Sequence, residues 1–158
     1  MSRVGPGRHS GERAATAEQE WRAAAEQGKH QVKHNVILTI TSLLSILFMT
    51  FRLSDDIVRG MESGGVKILV GVLILVVWLY GTLMLAGRRS GYVIILLGSI
   101  LGSGVPVVHM RGTGVVGGAI ANSSGVFFWV WTLIALGVTA SFSAILSARG
   151  LWSLRRAN

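Results

Sequence analysis

Four long apolar segments alternate with short polar ones along the chain. They cover residues 35–51, 66–86, 91–108 and 125–148, and Lys67 is the only Asp, Glu, Lys or Arg in any of them. A helix needs about 20 apolar residues to cross the hydrocarbon core of a bilayer. These segments have no polar face to offer to water. The pattern predicts an all-α membrane protein with four transmembrane helices in an antiparallel bundle.

The polar flanks divide the rest of the chain. We expect residues 1–13 to be a disordered basic arm, and residues 14–33 to form a cytoplasmic or interfacial helix that begins at a capping box, Thr16–Gln19. Residues 34–149 then form the transmembrane domain, and residues 150–158 a basic cytoplasmic tail.

Positive charge alternates from one connecting segment to the next. The arm, the turn at Arg88 and Arg89 and the tail together hold eleven of the 15 basic residues, and the other two connections hold four. Basic residues near the ends of spans stay in the cytoplasm. We therefore expect both termini to be cytoplasmic and the protein to lie in the cell membrane, as a bacterial inner-membrane protein. Because the first 34 residues are polar, the first span is expected to act as an uncleaved signal anchor.

Composition changes this picture little. Only 14% of the 158 residues are charged and 51% are hydrophobic, whereas soluble domains average about 25% charged residues. The net charge of +8 does not indicate a nucleic-acid partner, because the basic residues flank the apolar spans instead of forming one stripe. We expect them to contact anionic lipid head groups. The absence of cysteine excludes disulfides and thiolate sites.

The connection after the first span holds all the acidic residues outside the arm. Its members Asp55, Asp56 and Glu62, with Arg59, form a candidate functional cluster on the outer surface, together with His109 at the end of the third span. Clustered carboxylates can gather oxygen ligands for a hard cation, and a His–Asp contact can respond to pH. A sensor of external cations or pH is therefore one hypothesis.

A structural interpretation of the same segment is favoured. Ser54 is a good N-cap, the two aspartates suit a first helical turn, and Gly60 can end a helix. Arg59 lies within ion-pair reach of both aspartates. This predicts a short interfacial helix, and no metal or cofactor.

Small residues mark the expected helix contacts. Gly98 and Gly102 form a small-xxx-small pair in the third span, and Pro106 predicts a kink there. Small side chains also recur on one predicted face of the fourth span, at Gly137, Ala140, Ala144 and Ala148 with Ser141 beside them. The third span is therefore expected to pack on the fourth along these faces.

Other polar and aromatic residues also allow predictions. The hydroxyls of the first span can bond to their own helix or to a neighbouring one. The aromatic residues at 127, 128, 129 and 131 predict a girdle at the outer interface. Trp78 and Tyr80 lie too far from the ends of the second span to be belt residues, and one of them is expected to pack inside the bundle.

No carboxylate, lysine, arginine or histidine lies in the middle of any span, and no catalytic motif is present. Small multidrug transporters are similar in having four short spans, but they rely on a glutamate in the first, where this chain has Thr41 and Ser42. Coupled transport and membrane-embedded catalysis use such buried groups. We therefore expect a non-enzymatic accessory or scaffold subunit that contacts the lipid bilayer and other membrane subunits or copies of itself. A small oligomeric facilitative channel or carrier is the alternative.

Overall fold

The computed structural model describes residues 8–58, 65–110 and 125–156, with side chains for 16–58, 65–108 and 125–156. These residues form four helices: α1 (Arg8–Val58), α2 (Gly65–Leu83), α3 (Arg89–Met110) and α4 (Val126–Arg156). All four are long and apolar enough to cross a membrane. The described part of the chain is therefore all-helical, and its length and composition are compatible with a membrane protein.

Helix α1 differs from its prediction. Residues 1–13 were expected to be disordered and a helix was expected to begin at the capping box, but α1 is continuous through residues 8–13 and through Thr16 into the first span. No proline interrupts it, and isolated glycines such as Gly28 weaken a helix without ending it. Residues 1–7 lie outside the described part.

The far end of α1 also differs from its prediction. It continues past residue 51 through Ser54 to Val58, so Ser54 does not cap a separate interfacial helix. Helix α4 similarly extends beyond its predicted end at 148, to Arg156. Its last turns thus include most of the segment expected to be a basic tail.

The chain divides into two compact units, Met1–Val36 and Ile37–Asn158. In the described residues of the first unit, exposed ion pairs join Arg22 to Glu18 at 2.7 Å and Lys29 to Glu26 at 3.2 Å. Such pairs contribute only about 0.3–0.5 kcal/mol each to a helix. The second unit contains the buried core.

Helix α3 contacts both α2 and α4 in the second unit. The α2–α3 turn depends on Gly87, whose φ of 76° suits glycine. A side chain at Gly91 would collide with the carbonyl oxygen of Leu85. Buried apolar residues come from all four helices: Leu38 and Ile46 of α1, Trp78 of α2, Tyr92 and Ile95 of α3, and Leu133 and Leu136 of α4.

Candidate functional site

The most deeply buried charge in the described residues is Arg52, whose side chain is 2% exposed. Its Nη1 lies 3.3 Å from Asp55 Oδ2 and its Nη2 lies 2.6 Å from Asp56 Oδ1. Residues three and four positions apart share a helix face, so the continuation of α1 past residue 51 brings both carboxylates to the guanidinium. Two carboxylates thus pair with one buried cation.

The fourth member of this site comes from α4. The guanidinium carbon of Arg52 lies 4.6 Å from the centroid of the Trp129 ring. A buried cation over an indole face is worth about 2 kcal/mol. Beside it, the rings of Phe51 and Phe128 lie 6.1 Å apart. We call Arg52, Asp55, Asp56 and Trp129 the Arg52 cluster, and it joins α1 to α4.

Trp129 corrects the predicted aromatic girdle. Phe127, Phe128 and Trp131 are exposed, but Trp129 is 2% exposed and faces Arg52. It belongs to the α4 face that also buries Thr132, Leu133 and Leu136. The three exposed aromatics remain available for an interface with lipid.

The predicted surface cluster is only partly described. The structure brings Asp55 and Asp56 together with Arg52. Arg59 and Glu62 lie outside the described residues, as does the side chain of His109. Among the described residues, no three His, Cys, Asp or Glu side chains are grouped so that they could hold a metal ion.

The spacing from Arg52 to Asp55 and Asp56 is visible in the sequence. Ending the first span at residue 51 assigns Arg52 to a loop and hides this pairing. A helix continued by two turns would have indicated the pairing.

A second buried polar group joins α1 to α2. Ser42 Oγ lies 2.8 Å from Thr82 Oγ1 and accepts a hydrogen bond from Trp78 Nε1 at 3.0 Å. Thr82 Oγ1 also donates to the carbonyl oxygen of Trp78 at 2.9 Å. We call these three residues the hydroxyl cluster. Trp78 is the buried aromatic of α2, and Tyr80 is 56% exposed.

Three other hydroxyls of α1 bond to carbonyl oxygens of their own helix. Thr41 donates to the Ile37 carbonyl oxygen, Ser45 to that of Thr41, and Thr50 to that of Ile46. Both alternatives considered for these hydroxyls therefore occur in one helix, and Ser42 is the residue that reaches across.

Glycines of α3 allow close approach on two sides. A Cβ at Gly98 would lie 2.5 Å from the Trp78 indole of α2. One at Gly102 would lie 3.2 Å from Trp78 and 3.3 Å from the Ala140 Cβ of α4. The small-xxx-small pair thus accommodates a tryptophan of α2 as well as α4.

The α4 side of the contact is displaced from the predicted face. Gly137 meets Pro106, with 3.1 Å between its Cβ position and Pro106 Cγ. Ala140 is buried and Ala144 is half-buried, while Ser141 and Ala148 are exposed. Beyond Ala140, the buried residues are Ser143, Ser147 and Gly150, because burial follows alternating steps of three and four residues.

Comparisons of the chain with family models, with curated protein sequences and with solved structures find no match. The function must therefore be inferred from the residues and their contacts.

Proposed function

We propose that this protein is a multi-pass membrane protein that serves as an accessory or scaffold subunit without catalytic activity. The main support for the proposal is the set of contacts made by the buried Arg52 side chain. Arg52 is paired with Asp55 and Asp56 and stacked on Trp129. These groups hold α1 and α4 together. A charge cluster of this kind fits a helix-joining role better than a reactive one.

Contacts along the helices support an antiparallel arrangement. Between α1 and α2, Ser42 contacts Thr82 and Leu53 contacts Gly71. A later residue of α1 thus contacts an earlier residue of α2, as expected for antiparallel helices. From α3 to α4, the pairs Tyr92–Gly150, Gly102–Ala140 and Pro106–Gly137 follow the same rule. Together with the positive-inside rule, this arrangement supports a topology in which both termini lie in the cytoplasm of a bacterial cell.

Helix α2 is the surface proposed for another membrane subunit or a second copy. In its most apolar window only 17% of the residues are buried, compared with 39% in α3. Its exposed side chains are mostly aliphatic, as in Val72 and Val76. Transmembrane helices associate by such packing when a partner is present.

Site-specific photo-crosslinking in native membranes tests the subunit role. A photoreactive residue at Val76 of α2 should yield one discrete crosslinked product, and the same residue at Ile145 of α4 serves as an exposed apolar control. Co-purification in a mild neutral detergent should recover the same partner. Recovery as a lone monomer, with no crosslink from Val76, would contradict the proposal.

The orientation has an independent test because the chain contains no cysteine. A single cysteine introduced at Ser90, in the arginine turn, should resist a membrane-impermeant thiol reagent in intact cells and react after lysis. Labelling in intact cells would reverse the proposed topology.

The alternative, an oligomeric facilitative channel or carrier, is favoured by one observation. Ser99, Ser143 and Ser147 are fully buried and have no hydrogen-bond partner within the described residues. A hydrated path would satisfy them. Flux of ions or small neutral solutes through liposomes that is lowered by Ser143→Ala, but not by Ser141→Ala on the exposed face, would support it. No flux would exclude it.

A further inference from the structure

Several arginines lie together at one end of α3 and α4, and neither helix contains an acidic residue. Arg88 and Arg89 lie at the start of α3, and three more lie in the last two turns of α4, Arg149, Arg155 and Arg156. No Asp or Glu follows residue 62 in the chain. No ion pair within the described residues involves any of these five, and all are exposed. We call this surface the arginine end.

Packing between the helices supports placing the two groups of arginines together. Gly150 lies directly against the Tyr92 ring, so closely that a Cβ there would collide with it. Arg88 precedes Tyr92 by one turn, and its carbonyl oxygen accepts a hydrogen bond from the Tyr92 N–H at 3.1 Å. Arg155 follows Gly150 by five residues, or about 7.5 Å of helix.

A groove between α3 and α4 opens beside these arginines. It has a volume of about 270 Å³ and is lined by Leu96, Ala148, Leu151, Trp152 and Arg155. Its lining is apolar except at the Arg155 end. On the other side of Trp152, the guanidinium carbon of Arg156 lies 4.7 Å from the indole centroid. The groove therefore combines an apolar wall, an aromatic ring and the cation of Arg155, and the cation of Arg156 lies against the same ring.

We propose that this groove binds an anionic phospholipid, with the phosphate at Arg155 and Arg156 and one acyl chain along Leu96 and Leu151. The inference rests on the membrane placement proposed above. Basic residues next to a transmembrane helix attract anionic lipid, and tryptophan favours the headgroup region. An acyl chain suits a groove whose wall is aliphatic.

The charge of the surface disfavours a second copy as the occupant. Two copies meeting symmetrically at this end would bring identical sets of arginines together. An acidic peptide would satisfy the cations but would leave the aliphatic wall without a complementary group. An anionic phospholipid satisfies both parts of the groove.

Lipid binding by the full-length protein in neutral detergent tests the proposal. Native mass spectrometry and thermal unfolding would compare phosphatidylglycerol, phosphatidylcholine and soluble glycerol phosphate. We expect phosphatidylglycerol alone to be retained and to raise Tm. The double variant Arg155→Gln/Arg156→Gln should weaken that binding about thirtyfold, which corresponds to roughly fivefold per arginine.

Two further variants test whether lipid binding depends on the groove or only on the positive charge of the protein. Ala148→Trp should fill the groove and abolish retention while both arginines remain. Arg22→Gln/Lys29→Gln removes the same charge from α1 and should leave retention unchanged. Equal binding of phosphatidylcholine, stabilisation by glycerol phosphate alone, or an equal loss in the α1 control would overturn the proposal.

The lipid-binding experiment can fail without contradicting the proposed subunit role. Loss of lipid selectivity leaves the Val76 crosslink and the Ser90 labelling result intact, and it refutes the lipid site alone. If the protein is not recovered in the membrane fraction at all, both proposals fail. Should Ala148→Trp not fold, the arginine double variant still decides the question.

Discussion

Arginine has opposite environments at the two ends of α4. Near its start, Trp129 covers a buried Arg52 that two aspartates neutralise. Near its end, Arg155 and Arg156 are exposed and no ion pair within the described residues involves them. The two positions are separated by 26 residues, or about 39 Å of helix. The same side chain therefore stabilises helix contacts where it is buried and paired, and it remains available to anions where it is exposed.

The largest effect is expected when Arg52 stays buried but loses its two negatively charged partners. The double variant Asp55→Asn/Asp56→Asn should lower the free energy of unfolding in mild detergent by about 3–5 kcal/mol, because an uncompensated buried charge is costly. Denaturation followed by circular dichroism would measure it.

A triple variant provides the matched control. Arg52→Met added to the two asparagines removes the charge itself and should recover most of the lost stability. If the double variant is as stable as the wild type, the Arg52 cluster does not hold α1 to α4.

The aromatic side of the cluster should have a smaller effect. Trp129→Leu removes the ring beneath Arg52 and should cost about 2 kcal/mol of unfolding free energy. Trp131→Leu, two residues along on the exposed face of α4, should change it by no more than about 0.5 kcal/mol. Equal losses in the two variants would mean that the cation–ring contact contributes nothing.

At the arginine end, stability should depend on packing and not on charge. Gly150→Ala would drive a methyl group into the Tyr92 ring and should cost about 1–3 kcal/mol. Gly104→Ala has open space and should stabilise α3 by up to about 1 kcal/mol. Thermal unfolding of both variants checks the contrast, which fails if both are stabilised.

The smallest effect on stability is expected from the two exposed arginines at the end of α4. Without added lipid, Arg155→Gln/Arg156→Gln should change the free energy of unfolding by less than about 0.5 kcal/mol, since both side chains are exposed. A loss comparable to that of the Asp55/Asp56 double variant would show that these arginines are structural too.

The helices could be predicted from the sequence because apolar length is a strong signal. All four apolar segments correspond to helices, and Trp78 is buried as one of the two central aromatics was expected to be. The ends were harder to predict. Polar residues such as Ser54 and Arg52 can continue a helix or leave it, and a contact with another helix decides between them.

The site was less predictable for the same reason. Which aromatic of α4 faces inward depends on the rotation of the helix, and a uniformly apolar segment gives little information about rotation. Trp129 and Trp131 are indistinguishable in sequence, yet one lies over Arg52 and the other is exposed. The shift of the buried face from Ala144 to Ser143 has the same origin.

The contact between α3 and α4 also suggests how a more thermostable variant of the protein could be engineered. Ser99, Ser143 and Ser147 each bury a hydroxyl that finds no partner in the described parts of the chain, and such a group costs about 1–3 kcal/mol. Alanine at these three positions would remove the cost while preserving the small volumes that the close approach requires. A thermostabilised triple alanine variant would then be the form best suited to crystallisation.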